Sequence, residues 1–321
     1  MNILITGGAG FIGSYLANDL IFSHDVTVID NLSRGLSSRL NPKIRIIQVD
    51  LTAMNQVEKL GKDYDWIIHL AAINGTDNFY KQNELVFTVG VKSILNLYDH
   101  FKYTKASIII ASSAEVYQTP LVIPTNEDEP LKIPDIKNPR YSYGGSKIFS
   151  ELVAFNYGLD FFEKVIVFRP HNIYGPNMGY KHVIPQLIQK IKIMSKLGQS
   201  RLELIGAGLE TRAFCHVNDA VNGLKILMNK GVHGEIYHIG NDTEEVQIRE
   251  LANRLVVLSG ISNVAIIEGV QSHHGGTNRR CPSVEKIRSL GYKPGVTLDK
   301  GLEETFKWYN EQIEIADSSL L

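Results

Sequence analysis

The sequence predicts an α/β protein built on a doubly wound parallel sheet, followed by a smaller C-terminal α/β part. Short apolar runs alternate with helical patterns from the N-terminus onward, the runs carry almost no charge, and the first run leads into a glycine-rich turn. Strands that are apolar on both faces are typical of parallel sheets covered by helices on both sides. Ligands of such sheets bind beyond the carboxyl ends of the strands, so the residues after each strand are the candidate site.

The first thirty residues form the most specific unit of the chain. A predicted strand, residues 2–6, leads into a glycine-rich turn at residues 7–13, and apolar residues then recur at helical spacing. Gly7 permits a tight turn, Gly10 lets a pyrophosphate approach the backbone, and Gly13 allows the helix to pack closely on the strand. The start of a helix carries free N–H groups and a partial positive charge, which attract phosphate. This arrangement predicts a dinucleotide site.

A second predicted strand, residues 25–29, is followed directly by Asp30. An acidic residue about 20 positions after the glycine turn is placed to accept hydrogen bonds from the ribose of an adenosine. Together, the strand, turn, helix, strand and acid indicate a dinucleotide cofactor far more specifically than the glycines alone. Because the carboxylate of Asp30 would repel a 2′-phosphate, we expect NAD rather than NADP.

The remaining elements alternate in the same way. Strands are predicted at residues 44–49, 66–70, 107–112, 165–169 and 235–239, and helices at residues 84–100, 142–159 and 183–196. The residues at the strand ends, such as Asp50, Ala71, Ser113 and Arg169, therefore become candidates for the cleft. After Pro176 the pattern changes to shorter strands and to loops rich in Gly, His and Arg, which predicts a smaller part that covers the edge of the sheet.

Composition excludes several classes of function. The net charge is −1 and there is no block of basic residues, so nothing indicates binding to nucleic acid or to an anionic membrane. Two cysteines, Cys215 and Cys281, argue against a disulfide scaffold and fit a reducing compartment. We see no signal peptide and no apolar run long enough to span a bilayer, so we expect a cytoplasmic protein.

Tyr143 and Lys147 are the candidate catalytic pair. They are four residues apart on a predicted helix and therefore share one face. A tyrosine has a pKa near about 10, and a lysine ammonium together with a cationic nicotinamide would favour the phenolate and lower that pKa. The pair is therefore suited to remove a proton from a sugar hydroxyl near neutral pH.

With these motifs in place, the chain resembles the extended short-chain dehydrogenase/reductase family, whose members modify nucleotide sugars. The motifs keep the order and spacing of that family along nearly the whole chain: residues 7–13, 30–35, 69–72, 113–117, 143–147, 169–176 and 211–214. The resemblance implies a Rossmann-like NAD-binding domain at residues 1–170, to which residues 214–240 return. It also implies a nucleotide-sugar-binding domain made mainly of residues 171–321.

The resemblance further implies a role for each residue of the site. In that family NAD stays bound, the Tyr matching Tyr143 takes a proton from the sugar 4-hydroxyl, the Ser matching Ser113 hydrogen-bonds that hydroxyl, and the Lys matching Lys147 holds the nicotinamide ribose. Cofactor contacts are expected from Gly7, Gly10, Phe11, Ile12, Gly13, Asp30, Asn31, Ser33, Arg34, Asp50, Leu51, Leu70, Ala71, Ala72, Tyr143, Lys147 and Arg169. The nucleotide-diphosphate sugar is expected against Asn172, His182, Val183, Arg212 and Arg280.

Ala114 and Glu115 bear on the reaction that follows oxidation at C4. The related 4,6-dehydratases use an Asp-Glu pair at these two positions, and alanine cannot donate a proton. The uronate decarboxylases carry a Glu at the position of Glu115 and an Arg in the last loop, as in Arg280. Most simply, we expect C4 epimerisation of an NDP-hexose through a 4-keto intermediate. The alternatives are decarboxylation of an NDP-uronate, C3/C5 epimerisation or 5,6-type dehydration, each with Glu115 as a catalytic residue, and a non-catalytic NAD-sensing module.

Two further expectations concern assembly and metals. Apolar residues on the helices predicted at residues 84–100 and 142–159 are suited to a four-helix contact across a two-fold axis, as in relatives, so we expect a homodimer. His273 and His274 are adjacent, but no third ligand at a suitable spacing accompanies them, so we expect no metal.

Overall fold

The computed structural model describes residues 1–270 and 277–318. Its strands are β1 (Asn2–Thr6), β2 (Asp25–Asp30), β3 (Arg45–Gln48), β4 (Trp66–His69), β5 (Ser107–Ala111), β6 (Lys164–Pro170), β7 (Ile173–Tyr174), β8 (Arg201–Glu203), β9 (Thr211–Ala213), β10 (Cys215–His216), β11 (Glu235–Ile239), β12 (Glu245–Gln247), β13 (Ala265–Ile267) and β14 (Arg279–Arg280). Its α-helices are α1 (Phe11–Leu20), α2 (Met54–Val57), α3 (Thr76–Lys81), α4 (Asn83–Phe101), α5 (Ser142–Leu152), α6 (Val183–Lys196), α7 (Val217–Lys230), α8 (Ile248–Ser259), α9 (Glu285–Arg288) and α10 (Leu298–Ser318).

The large sheet runs in the order β11-β6-β5-β4-β1-β2-β3, and every neighbouring pair is parallel. The predicted doubly wound fold is therefore confirmed. From β1 the chain first adds β2 and β3 on one side, and then returns to add β4, β5, β6 and β11 on the other. The loops after β1 and β4 consequently flank the crevice where such sheets bind ligands.

Both faces of the sheet are covered by apolar layers. Side chains alternate along a strand, so Ile3 and Ile5 of β1 pack with Leu224 of α7 on one face, while Leu4 packs with Ile94 of α4 on the other. All five side chains are fully buried. This explains why the strands of the sequence are continuously apolar rather than alternating.

The helix that carries the catalytic pair is shorter than predicted. The apolar pattern predicts one helix over residues 142–159, whereas α5 ends at Leu152 and continues as a π-helical turn, Val153–Tyr157. The turn closes with a hydrogen bond from the Gly158 N–H to the carbonyl of Val153. A β-carbon at Gly158 would lie 2.5 Å from the Tyr98 ring, so this glycine lets the end of the segment approach α4.

The close contact between α4 and α5 depends on Gly90. A β-carbon at Gly90 would lie 2.5 Å from Oγ and 2.6 Å from Cβ of Ser146. Here the space is filled by Ser146, whose hydroxyl donates to the Tyr143 carbonyl at 2.8 Å. Ser146 therefore braces the backbone of the helical turn that carries the catalytic tyrosine.

The C-terminal part of the chain packs around its own apolar cluster, which includes Leu187, Leu204, Phe214, Leu251 and Leu302. Its small sheet runs β12-β9-β14 and places Arg212 directly beside Arg280 on neighbouring parallel strands. In residues 1–270 and 277–318, no helix combines the length and apolar character that a membrane crossing requires.

Candidate active site

The turn after β1 has the shape of a phosphate cradle. Gly7 has φ +67°, which favours glycine, and its N–H donates to the carbonyl of Ile29. A β-carbon at Gly13 would lie 2.4 Å from the Gly7 carbonyl oxygen, so only glycine lets α1 begin this close to β1. Gly10 precedes the first turn of α1, which contains no acidic residue. The first N–H groups of α1 are therefore placed to hold a pyrophosphate, as the sequence predicts.

Asp30 is held rigidly at the end of β2. One carboxylate oxygen accepts from the N–H of Ala9 at 3.1 Å and the other from the N–H of Leu32 at 2.8 Å. An ionised carboxylate has about four acceptor positions, so it can still accept from ribose hydroxyls. The residues of the cradle and of Asp30 fit the adenosine diphosphate half of NAD.

We predict that this site binds NAD at least about tenfold more tightly than NADP, because the Asp30 carboxylate would lie against the extra phosphate of NADP. The dissociation constants of the two cofactors, measured by titration of the cofactor-free protein, test this. The variant Asp30→Asn should narrow the difference, since it removes the negative charge. Tighter binding of NADP than of NAD by the wild-type protein would contradict the prediction. In that case Arg34 would be the candidate contact for the 2′-phosphate.

The other expected cofactor residues line the same cleft edge in the structure. Ala71 lies against Gly7, since a β-carbon on Gly7 would lie 2.8 Å from the Ala71 Cα. The Asp50 carboxylate accepts from the N–H and hydroxyl of Thr52. Leu51 is buried. The remaining expected contacts lie in the loops and helix starts that follow β1, β2 and β4: Phe11, Ile12, Asn31, Ser33, Arg34, Leu70 and Ala72.

The candidate catalytic residues lie close together beyond the carboxyl end of β5. They are Ser113, which follows that strand, and Tyr143 and Lys147 on α5. The hydroxyl groups of Ser113 and Tyr143 share a hydrogen bond. Lys147 lies with its Nζ 5.8 Å from the centre of the Tyr143 ring and donates to the carbonyl of Ala111 at 2.8 Å. All three side chains are buried. The structure therefore assembles the set that the sequence predicts as catalytic.

The surroundings of Tyr143 change its pKa. Burial raises it to about 12; the hydrogen bond from Ser113 acts in the opposite direction and the charge of Glu115 adds to the increase. Burial lowers the pKa of Lys147 to about 8. The expected lowering of the Tyr143 pKa involves a cationic nicotinamide as well as Lys147, so it stays a prediction for the cofactor-bound protein.

Phe79 is a neighbour of the catalytic tyrosine that sequence reasoning missed. Its ring stacks on Tyr143, with 5.0 Å between centroids and 8° between planes. Both rings are buried in a small cluster with Val86. Phe79 lies on α3, far from Tyr143 in sequence, so no local pattern could have indicated the contact.

Glu115 lies between two arginines. Arg280 donates to Oε1 at 2.9 Å, and Nη2 of Arg140 lies 3.8 Å from Oε2. Burial by itself would raise the pKa of Glu115, but the charges of Arg280 and Arg140 outweigh burial and hold it below its usual range. Glu115 is therefore a carboxylate anion beside the Ser113–Tyr143 pair.

The expected diphosphate residues form a cationic surface next to Glu115. Arg212 and Arg280 occupy paired positions on β9 and β14, where their like charges repel each other, and the Glu115 carboxylate pairs with Arg280. Burial, followed by the charge of Arg280, lowers the pKa of Arg212 to about 10. Two crowded guanidinium groups at a cleft suit a diphosphate.

A cavity of about 260 Å³ adjoins Arg212. Asn172 and Val183, two other expected substrate residues, line it together with Leu187 and Phe214. Its apolar walls with a few polar groups are typical of a small-molecule site. His182, which directly precedes α6, does not line this cavity. Burial and the charge of Arg34 lower the pKa of His182 to about 4.

Arg169, an expected cofactor residue, has its side chain engaged by other protein groups. It is 2 % exposed, and its guanidinium donates to both carboxylate oxygens of Glu151 at 2.9 and 2.6 Å, to the Tyr117 hydroxyl and to the Glu127 carbonyl. All three of its nitrogens are engaged within the core. The Arg169 side chain is therefore part of a buried ion-pair network behind the site, and its contact with the cofactor stays a prediction.

Among the side chains that the structure describes, no group of three or more His, Cys, Asp or Glu residues is placed to hold a metal ion. His273 and His274 lie outside the described residues.

Fold and site define a nucleotide-sugar-modifying enzyme that uses NAD, and the comparisons agree. Residues 3–240 match the model of the NAD dependent epimerase/dehydratase family, and the chain belongs to this family.

Individual relatives differ in their reactions. The chain is 33% identical to UDP-N-acetyl-alpha-D-glucosaminuronate decarboxylase from Bacillus cytotoxicus, over 96% of this chain and 97% of that protein. It is 30% identical to the putative UDP-glucose 4-epimerase of Methanocaldococcus jannaschii, over 95% and 97%. Among solved structures, DesIV, a dTDP-glucose 4,6-dehydratase from Streptomyces venezuelae with NAD and TYD bound, superposes with a TM-score of 0.85. It is 28% identical, and 98% of each chain is covered.

Proposed function

We propose that the protein decarboxylates a nucleoside-diphosphate uronate through a 4-keto intermediate. The observation that carries this proposal is the Glu115 carboxylate, ionised and paired with Arg280 beside the Ser113–Tyr143 pair. A buried carboxylate costs free energy unless it is paired or used, and simple C4 epimerisation needs none at this point. The full-length similarity to a decarboxylase that acts on a UDP-uronate supports the same reaction and favours UDP as the carrier.

The first step oxidises C4. Tyr143 removes the proton of the 4-hydroxyl, and Ser113 hydrogen-bonds the same oxygen. When bound, NAD accepts the hydride from C4 and returns it at the end of the reaction. Lys147 lies within reach of the nicotinamide ribose and adds positive charge near Tyr143.

The second step breaks the C5–C6 bond. The carboxylate at C6 is β to the new C4 ketone, so its bonding electrons pass into the ketone as CO2 leaves, and an enolate forms on the C4 oxygen. The hydroxyl groups of Tyr143 and Ser113 stabilise that oxygen. The negative charge of the enolate raises the pKa of the neighbouring Glu115, which takes a proton from solvent and passes it to C5. The reaction therefore consumes one proton and releases one CO2.

The experiment that tests this function is incubation with nucleoside-diphosphate uronates and hexoses in deuterated water, followed by NMR of the products. Decarboxylation predicts CO2 release and a pentose carrying one deuterium at C5. Product inverted at C4, with six carbons and no solvent deuterium on carbon, would overturn the proposal. It would establish the C4 epimerisation that the sequence predicts most simply and that the putative 4-epimerase supports. Deuterium at C5 or C3 of a six-carbon product would instead indicate C3/C5 epimerisation.

We infer that the protein acts as a homodimer, as the sequence predicts. Large apolar side chains remain exposed on α4 and on α5 with its π-helical turn: Leu85, Phe87, Leu152 and Tyr157. Exposed apolar side chains on two neighbouring helices suit a two-fold contact.

Sedimentation should give a dimer at micromolar concentration, and Leu152→Glu should shift it to monomer because a charge cannot be buried unpaired in such a contact. The matched control is Val257→Glu, which places the same charge at an exposed apolar position of α8 and should leave the dimer intact. A monomeric wild-type protein under these conditions would refute the inference.

A further inference from the structure

Two arginines from different parts of the fold form ion pairs with Glu115. Arg280 lies on β14, beside Arg212, and reaches Oε1 of Glu115 at 2.9 Å. Arg140 lies in the 3-10 segment Pro139–Tyr141, directly before α5, with its Nη2 3.8 Å from Oε2. Each carboxylate oxygen of Glu115 therefore has its own arginine. Arg280 reaches Oε1 from the small sheet, and Arg140 approaches Oε2 from the segment before α5.

Arg280 makes a further contact besides its ion pair with Glu115. Its Nη2 donates to the Thr277 hydroxyl at 3.1 Å, and its Nε is buried with no hydrogen-bond partner among the described residues. A buried donor without a partner costs free energy, and such donors are expected where a ligand completes the site. This buried Nε and the position beside Arg212 make Arg280 a candidate contact for an anionic substrate.

Arg140 is fixed differently. Asn138 caps its backbone N–H at 3.0 Å, Pro139 restricts the preceding backbone, and the side chain is 9% exposed. Tyr143 follows three residues later, so Arg140 lies in the segment that leads directly into the helix of the candidate catalytic pair.

We propose that Arg140 is a positioning residue. It holds the Oε2 side of the Glu115 carboxylate in place beside Ser113 and Tyr143, while Arg280 binds the substrate. Among the described residues, the charges that act on Glu115 include those of Arg280, Arg140 and Arg212, and the charge of Glu115 acts on Tyr143. Among these, Arg140 acts through Glu115 rather than on the sugar. Nothing in the sequence pattern singles it out, because its partner lies 25 positions earlier on another element.

The test combines kinetics with a direct titration of Glu115. The variants are Arg140→Met and Arg140→Lys, and the control is Lys137→Met, which removes a positive charge from an exposed side chain three positions earlier. Infrared difference spectra between each protein and its own Glu115→Gln counterpart isolate this carboxylate. Arg140→Met should raise the Glu115 pKa by about one unit, because a nearby opposite charge is lost. Arg140→Lys should bring the pKa of Glu115 most of the way back to its wild-type value. Lys137→Met should leave the pKa of Glu115 unchanged.

In steady-state assays, Arg140→Met should lower kcat about tenfold with KM changed less than about twofold, because the positioned carboxylate rather than the binding of substrate is affected. A raised KM with unchanged kcat would overturn the proposal and make Arg140 a substrate-binding residue. An unchanged Glu115 titration in Arg140→Met would also overturn it. The kcat prediction rests on the proposed decarboxylation, whereas the titration needs no substrate. A failure of the reaction assignment is therefore distinguishable from a failure of the positioning role.

Discussion

Replacing Tyr143 by phenylalanine is expected to lower turnover by about 10²- to 10⁴-fold, the usual contribution of a positioned acid–base group. The fold should survive, because the buried ring keeps its stacking on Phe79, 5.0 Å away. NAD binding should also survive, since Gly7, Gly13 and Asp30 do not depend on the hydroxyl. The loss should fall on kcat rather than on KM, because the missing group acts on the proton of the 4-hydroxyl.

The measurements are kcat, KM and the NAD content of the purified variant. Tyr103→Phe is the control, since Tyr103 is 76% exposed and remote from the cleft. Wild-type turnover in Tyr143→Phe would show that the mechanism is wrong.

The variant Lys147→Ala tests the role of the lysine separately from that of the tyrosine. It should reduce both turnover and NAD affinity, because the ammonium supports the ribose as well as the tyrosine. Burial lowers the pKa of Lys147 to about 8. The ammonium is the protonated form, so the contribution of Lys147 is complete below about pH 8 and is lost as the pH rises through that value. Turnover of the wild-type protein should therefore fall on the alkaline side, and Lys147→Ala should lack that fall.

Replacing Glu115 by glutamine should lower turnover by about 10²- to 10⁴-fold with little change in KM. Glutamine has the same shape and can still accept a hydrogen bond from Arg280, so the local structure should persist. It carries neither the charge that pairs with Arg280 and Arg140 nor a proton that can be given to C5. Under the proposed decarboxylation, both losses affect the step after C4 oxidation.

The matched control for this prediction is Glu245→Gln. Glu245 pairs with Arg279, the residue before Arg280, and so belongs to an equivalent acid–arginine pair on the same small sheet. The control should keep most of the turnover. A Glu115→Gln variant with normal kcat and a raised KM would mean that Glu115 only contacts the substrate, which is the outcome expected for a C4 epimerase.

Much of this molecule is determined by local sequence pattern. The strand, glycine turn, helix and acid of the first thirty residues specify the cofactor crevice, because each part depends on neighbours within a few positions. Likewise, Tyr143 and Lys147 share a helix face whatever the remainder of the chain does. The helix Val183–Lys196 and the strand Glu235–Ile239 have the predicted bounds for the same reason.

Only the tertiary structure decided the properties that depend on burial and on distant partners. Arg169 follows a strand and reads as a cofactor contact, yet Glu151 from α5 draws it into the core. Burial raises the pKa of Tyr143 to about 12, and the opposing hydrogen bond comes from Ser113, 30 positions earlier in the chain. Arg140 converges with Arg280 on Glu115 across separations that no periodicity spans, since such contacts form through packing between elements and not within them.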